Sequence, residues 1–105
     1  MTEILYQERG NHVRVSLHGH AAYNPGNDPV CAGISAITFQ LLRYLEALEQ
    51  EQSIHSFAYE VEEGSVTVDF IVEEGDMDAW HIAWKVIGGG YRNLCEAYPE
   101  NVQMN

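Results

Sequence analysis

The chain has 105 residues, 46% of them hydrophobic and 20% charged, which predicts one domain over residues 1–105 with a single core. Its 16 Asp and Glu outnumber its 5 Lys and Arg, and the formal net charge of −11 argues against direct nucleic-acid binding, because phosphates are repelled. No apolar run is long enough to span a membrane and no basic segment precedes an apolar leader, so we expect a cytoplasmic protein with no membrane partner.

The beginning of the chain predicts a β-hairpin. Residues 2–9 and 12–17 form two short runs on either side of Gly10-Asn11, a dipeptide typical of two-residue turns. In the second run apolar side chains alternate with polar ones, which predicts a strand with one face on the core.

Asp28 and Pro29 mark the start of a long helix. An Asp N-cap accepts hydrogen bonds from the first free backbone amides, and Pro fits the first helical position, which needs no N–H. An apolar stripe at helical spacing continues to near Gln50 and should pack on the sheet. Cys31 falls in the first turn, where the helix dipole and the unpaired amides stabilise a thiolate.

His20 is a candidate base for Cys31. It follows the second predicted strand, and the next residues favour turns, so the loop can fold the imidazole back over the helix start. Cys31 is then a candidate nucleophile, and the amides at the helix start are candidate donors to an oxyanion. We expect this loop to be mobile until a substrate orders it, and its residues are Tyr23, Asn24, Pro25, Gly26 and Asn27.

Spacing alone leaves other interpretations of these residues open. Cys31 can be a small buried hydrophobe and His20 a surface residue. His18 and His20 can be drawn with Cys31 as a metal site, but a structural zinc site needs four ligands and the spacing provides no fourth, so we expect no metal and no cofactor. Cys31 and Cys95 can also form a redox pair, although the chain has no Cys-x-x-Cys motif.

The second half of the chain predicts another hairpin and another helix. Residues 56–61 and 65–72 alternate in polarity on either side of a Gly-containing turn. A second apolar stripe predicts a helix from near Asp76 to Pro99. Gly88-Gly89-Gly90 interrupts this stripe, and we expect the three glycines to lie against the first helix, where a bare backbone allows close approach.

Residues 102–104 predict a short strand at the end of the chain. The predicted fold class is therefore α+β, an antiparallel sheet of four to five strands with two helices packed on one face, in the order ββαββα with a short terminal strand. The other face of the sheet is left available for a homodimer contact.

A resemblance to a known family rests on two segments, Gly19-His20-Ala21 and, after a short loop, Asp28-Pro29-Val30-Cys31-Ala32-Gly33-Ile34-Ser35-Ala36. Together they resemble the signature of the ribosomal-processing cysteine proteases, the small bacterial Prp family. The match is specific in residue type and in order, and it extends weakly over the whole chain. Pro29 stands where the family pattern has a branched aliphatic residue.

The resemblance implies a catalytic dyad of His20 and Cys31. It also implies a homodimeric cysteine endopeptidase that removes the N-terminal extension of a large-subunit ribosomal protein. Asp28 is the N-cap, and orientation of His20 is a second role that it can have. The rival hypotheses are a non-catalytic, dimeric, ribosome-associated binding module with a structural Cys31, and a thiol redox protein.

Overall fold

Strands and helices follow one another in the order that the hydrophobic pattern predicts. The computed structural model describes the whole chain, residues 1–105. Its elements are β1 (Thr2–Arg9), β2 (His12–His18), α1 (Pro29–Gln50), β3 (Ile54–Glu62), β4 (Ser65–Val72), a 3₁₀ turn (Glu74–Asp76), α2 (Met77–Ala97) and β5 (Val102–Met104). The predicted fold class is confirmed, including the short terminal strand.

The five strands form one sheet in the order β3-β4-β2-β1-β5. Strands β1 to β4 pair antiparallel, as predicted, whereas β5 is parallel to β1. The sheet is therefore mixed rather than wholly antiparallel. A tight hairpin makes its two strands antiparallel, but β5 follows α2, and a helical connection allows the chain to return in the parallel direction.

The core lies between one face of the sheet and the two helices. At its centre Val13 of β2 is paired with Phe70 of β4, and Val15 is paired with Val68. All four side chains are fully buried. Both helices contribute to the same buried cluster, so they pack on one face of the sheet, and their largest fully buried side chains are Leu41, Leu45, Trp80 and Tyr91.

The two helices approach each other closely at Gly90. A Cβ at this position would lie 3.1 Å from Cδ1 of Ile37 in α1, so the predicted contact between the glycine run and the first helix is confirmed there. For the other two glycines the prediction is wrong, because Gly88 makes room for the Trp84 ring of its own helix and a Cβ at Gly89 would meet nothing within 4 Å. Neither helix combines the length and the apolarity of a membrane-spanning segment.

Candidate active site

A cleft of about 210 Å³ lies between the first turns of α1 and the neighbouring ends of β3 and β4. His20 and Cys31 both line this cleft, although they come from different parts of the fold. Its other lining residues include the apolar side chains of Ile34, Phe39, Leu42, Val61 and Val66. The cleft can therefore hold an apolar side chain beside a thiol and an imidazole.

Gly19 directs the chain out of β2 toward the cleft. Its φ of +92° lies in the left-handed region, and a Cβ at this position would overlap the carbonyl oxygen of Met1. The Gly19 amide donates to the Gly64 carbonyl oxygen at 2.8 Å, and the Thr2 hydroxyl donates to the Gly19 carbonyl oxygen at 3.0 Å. Gly19, which precedes His20, is thus held by Gly64 through its amide and by Thr2 through its carbonyl oxygen.

The sulfur of Cys31 contacts the segment that follows His20. The Ala21 amide donates to Sγ at 3.4 Å, and the Asn101 side-chain amide donates to the Ala21 carbonyl oxygen at 2.9 Å. A backbone N–H at the sulfur stabilises negative charge on it. The hydrogen-bond partner of Sγ is therefore the Ala21 amide and not the His20 ring. The absence of a bond between His20 and Sγ is compatible with a catalytic pair, because such hydrogen bonds are often long in free enzymes and tighten when the substrate binds.

Asp28 caps α1, as predicted. Its Oδ1 accepts hydrogen bonds from the amides of Val30 at 2.9 Å and Cys31 at 3.2 Å. We expected amides at the helix start to stabilise an oxyanion, and for these two amides the expectation is wrong because Asp28 already binds them.

The second oxygen of Asp28 holds the loop that precedes the helix. Oδ2 accepts from the amides of Tyr23 at 2.8 Å and Asn24 at 3.1 Å. Desolvation raises the pKa of this carboxyl, but the four backbone donors outweigh it and hold the pKa below its usual range. Both oxygens are used by backbone amides, so the carboxylate positions the helix start and the loop and makes no hydrogen bond to His20.

The loop before α1 forms a compact turn. The Asn27 amide donates to the Asn24 carbonyl oxygen, and the Asn24 side-chain amide donates to the Asn27 carbonyl oxygen, both at 3.1 Å. The Tyr23 ring packs edge-on against Tyr98 with 5.0 Å between centroids. These contacts connect the loop to the start of α1 and to Tyr98, and its mobility without substrate stays a prediction.

The His20 ring is exposed and lies against the turn between β3 and β4. Gly64 in this turn has a φ of +73°, and a Cβ there would lie 3.2 Å from Nε2 of His20. Nδ1 of His18 is instead 3.2 Å from the Ser65 hydroxyl, and no three His, Cys, Asp or Glu side chains are grouped closely enough to hold a metal ion. Gly64 therefore leaves the room that the His20 imidazole occupies.

Cys95 and the three remaining histidines lie outside the cleft. Both cysteines are free thiols, and burial raises the pKa of the Cys95 thiol against the opposing effect of Arg92. The three histidines are exposed and each contacts a carboxylate, in the pairs His12–Asp69 at 3.2 Å, His55–Glu73 at 2.6 Å and His81–Glu8 at 2.9 Å.

Three residues that position the cleft were missed by sequence reasoning, namely Thr2, Gly64 and Asn101. Gly64 was recognised only as a turn residue. Asn101 lies 80 positions from Ala21 in the chain, and no local pattern predicts a contact over that separation. Thr2 was assigned to a strand, but its hydroxyl contact with Gly19 depends on which strand ends lie side by side.

Crystal structures of an essential ribosomal processing protease Prp from S. aureus have the same fold, and each match covers 100% of this chain and 98% of that one. The complex with a covalently linked product peptide has a TM-score of 0.73 and 22% identity, and the complex with a substrate peptide has 0.70 and 21%. SMU.848 from Streptococcus mutans matches with a TM-score of 0.68 and 23% identity, over 100% of this chain and 92% of that one. At these identities the similarity establishes a shared fold.

A comparison with curated protein sequences finds no significant match. The family model for the cysteine protease Prp matches residues 1–103. The matched residues include both sides of the cleft and the whole sheet, apart from Met104 at the end of β5. The chain therefore belongs to the Prp family of cysteine proteases, which are hydrolases.

Proposed function

We propose that this protein is a cysteine endopeptidase that removes the N-terminal extension of a large-subunit ribosomal protein, with Cys31 as nucleophile and His20 as general base and acid. The observation that carries the proposal is the cleft that these two residues line together at the capped start of α1. The substrate class is supported by the similar protein from S. aureus, which is described as a ribosomal processing protease. The reaction is expected in the cytoplasm.

In the proposed mechanism His20 accepts the thiol proton of Cys31, and the thiolate attacks the scissile carbonyl carbon to form a C–S bond and a tetrahedral oxyanion. The C–N bond then breaks, and His20 gives the proton to the leaving amine. Water that is deprotonated by His20 hydrolyses the thioester and regenerates the thiol. Asp28 acts through the backbone, because it holds the helix start that carries Cys31.

The rim of the cleft favours a peptide with apolar side chains. Phe39, Tyr59 and Val61 are exposed by 63%, 49% and 54%, and they line the cleft or the groove that continues from it between α1 and β3. A ligand that covers exposed apolar groups of this size is bound more tightly, because their apolar surface is removed from water. The net charge of −11 also attracts a basic protein, as ribosomal proteins generally are.

The decisive experiment incubates the protein with the precursor ribosomal protein of the same organism and follows the N-terminus by mass spectrometry. The wild type should shorten the precursor, Cys31→Ala should leave it intact, and His20→Ala should slow cleavage by at least about 100-fold, the range of lost acid–base catalysis. An intact precursor in the wild-type reaction would overturn the assigned substrate.

A second experiment tests the nucleophile without knowledge of the substrate. Iodoacetamide at neutral pH should label Cys31 before Cys95, because the Ala21 amide lies at the Cys31 sulfur whereas burial raises the pKa of Cys95. His20→Ala should slow the labelling of Cys31 and leave that of Cys95 unchanged. Equal labelling of the two thiols in native protein would contradict the role of Cys31.

The protein is also proposed to be a homodimer. The face of the sheet opposite the helices was the predicted contact surface. That face carries charged side chains, since Asp69 lies 3.2 Å from His12 and 3.9 Å from Arg14, and Leu5 on it is only 37% exposed. A stable homodimer contact is usually more apolar than this.

A further inference from the structure

Strand β3 forms one edge of the sheet, and the half of it that is nearer the cleft is regular. No strand lies beyond β3 in the order β3-β4-β2-β1-β5. Its pairing with β4 is irregular between His55 and Ala58, but from Ala58 to Glu62 the register is continuous. A regular edge that has no neighbouring strand is a template for pairing with another extended chain.

The register of the β3–β4 hairpin decides which backbone groups face this edge. Glu62 is paired with Ser65 across the two-residue turn, so Glu62 and Glu60 exchange hydrogen bonds with β4. In an antiparallel ladder the alternate residues turn their N–H and C=O groups the other way. The backbone groups of Tyr59 and Val61 therefore point to the free edge, and none of them takes part in a hydrogen bond outside the strand ladders.

A groove beside this edge can receive side chains. Tyr59 is paired with the fully buried Val68, so its side chain lies on the face of the sheet that the helices cover. Tyr59 and Val61 nevertheless stay about half exposed, and together with Phe39 of α1 they line the groove between α1 and β3. A strand added at the edge would direct every second side chain into this groove, because successive side chains of a strand point to opposite faces.

The edge and the groove continue into the cleft. Val61 lines the groove, and Val61 and Glu62 both line the cleft that contains His20 and Cys31. A peptide that is paired with β3 would therefore reach the sulfur of Cys31 without leaving the strand conformation. This continuity favours the substrate, and not a second copy of the chain, as the occupant of the edge.

We propose that the substrate peptide binds to β3 as an added strand, with alternate backbone groups hydrogen-bonded to Tyr59 and Val61. The inference rests on the protease function proposed above and names the way in which that site holds its substrate. In this binding mode main-chain hydrogen bonds hold the peptide in register, and the groove selects the side chains at alternate positions.

A scan of backbone N-methyl groups along the substrate tests the added strand. The probe is a synthetic peptide that copies the N-terminal extension of the precursor ribosomal protein and the residues that follow it. Each N-methyl group removes one N–H and keeps the side chain. Away from the scissile bond, kcat/KM should fall about 10-fold at alternate positions and little at the positions between them, because only every second N–H faces β3.

The scan separates this proposal from the protease function. Cleavage of the unmodified peptide with no alternation along the scan would overturn the added strand and leave the protease function supported. An unmodified peptide that the wild type leaves intact would overturn both.

Val61→Pro tests the edge from the side of the enzyme. Proline removes the Val61 N–H that faces the edge and leaves the hydrogen bonds between β3 and β4 in place. Val61→Ala is the matched control, because it shortens the side chain and keeps the N–H. Val61→Pro should raise KM about 10-fold relative to Val61→Ala, with similar free energies of unfolding. Equal KM values for the two folded variants would contradict the proposal.

Amide hydrogen exchange gives a test that does not depend on the folding of Val61→Pro. In Cys31→Ala the amides of Tyr59 and Val61 should exchange rapidly, and the same peptide should slow them at least about 10-fold. The Glu60 amide, which faces β4, should be protected with and without the peptide. Exchange that the bound peptide leaves unchanged would overturn the proposal. Protection in the free protein that grows with protein concentration would assign the edge to a second copy and would overturn it as well.

Discussion

The aromatic cluster between α2 and the sheet and the segment that carries His20 are held in place by different means. In the cluster the Tyr6 and Trp84 rings stack with 4.5 Å between centroids, and Phe70 packs edge-on against Trp80 at 4.8 Å. The Trp80 indole N–H also donates to the Tyr6 hydroxyl at 2.9 Å. Trp84 also packs against Trp80 and Tyr91, so each of the two tryptophan rings contacts more than one other ring of the cluster.

The segment around His20 depends on single hydrogen bonds. The Gly19 amide has one partner at Gly64, and the Ala21 carbonyl oxygen has one at Asn101. Removal of one such bond should change the geometry of the cleft, but the apolar surface that the folded protein buries should stay almost the same. Substitutions in the aromatic cluster should therefore act on stability, whereas substitutions around His20 should act on cleavage.

The two regions meet at Thr38. Its hydroxyl is 2.8 Å from the Tyr91 hydroxyl and donates to the Ile34 carbonyl oxygen, and Thr38 also lines the cleft. Burial raises the pKa of Tyr91 to about 12, against the opposing effect of the Thr38 hydrogen bond. Burial likewise raises the pKa of Tyr6. Both phenols are therefore neutral at physiological pH and serve as packing and hydrogen-bonding groups.

The largest effect on stability is expected from Trp80→Ala. Trp80 is 2% exposed, and removal of a buried aromatic side chain lowers the free energy of unfolding by about 3–5 kcal/mol. Trp80→Phe should lose less, because it keeps most of the apolar contact and removes only the indole donor. Urea unfolding measures both variants. A fall in cleavage per folded molecule without a loss of stability would contradict the division between the two regions.

A large effect on cleavage is expected from Gly64→Ala. The new Cβ would lie 3.2 Å from Nε2 of His20 and would displace the imidazole, so with His20 in its proposed role kcat/KM should fall by about 10-fold or more. Gly10→Ala is the matched control, since Gly10 also has a positive φ and a Cβ there meets nothing within 4 Å. Equal cleavage by the two variants would show that the His20 contact is unimportant.

A smaller effect is expected from Asn101→Ala, which removes the donor to the Ala21 carbonyl oxygen. The Ala21 amide then holds the Cys31 sulfur less firmly, so kcat should fall several-fold with a loss of about 1 kcal/mol in stability. Asn105→Ala is the control, because the Asn105 side chain makes one hydrogen bond as well, accepting it from the Tyr6 amide, but lies away from the cleft. Equal effects of the two variants on kcat would contradict a positioning role for Asn101.

The smallest effect is expected on the pH dependence of the free energy of unfolding, to which Asp28 at the start of α1 contributes. The folded pKa of Asp28 is lowered, so its contribution to stability is present above the ordinary pKa of 3.8 and is lost as the pH falls through the folded value. Asp28→Asn keeps a capping oxygen but has no charge to lose. The stability difference between the wild type and Asp28→Asn should therefore shrink between about pH 5 and pH 2 in urea unfolding. A difference that grows on acidification would contradict this sign.

Short-range patterns predicted most of the fold and the beginning of the site. Alternation of polarity predicted the strands of both hairpins, helical spacing predicted α1 and α2, and Asp28-Pro29 predicted the helix start that places Cys31 in the first turn. These features depend on residues within a few positions of one another, which a sequence displays directly.

Contacts between distant segments were decided only by the tertiary structure. The parallel pairing of β5 with β1, the bond from Asn101 to Ala21 and the fit of His20 against Gly64 depend on which strand ends and turns become neighbours. Asp28 combines both kinds of contact. Its N-cap hydrogen bonds to the amides of Val30 and Cys31 are local, whereas the fold of the loop decides that it makes no hydrogen bond to His20. Local patterns are therefore sufficient to predict the elements and the candidate pair His20 and Cys31. The groups that hold this pair depend on how the sheet packs, because long-range contacts have no local periodicity.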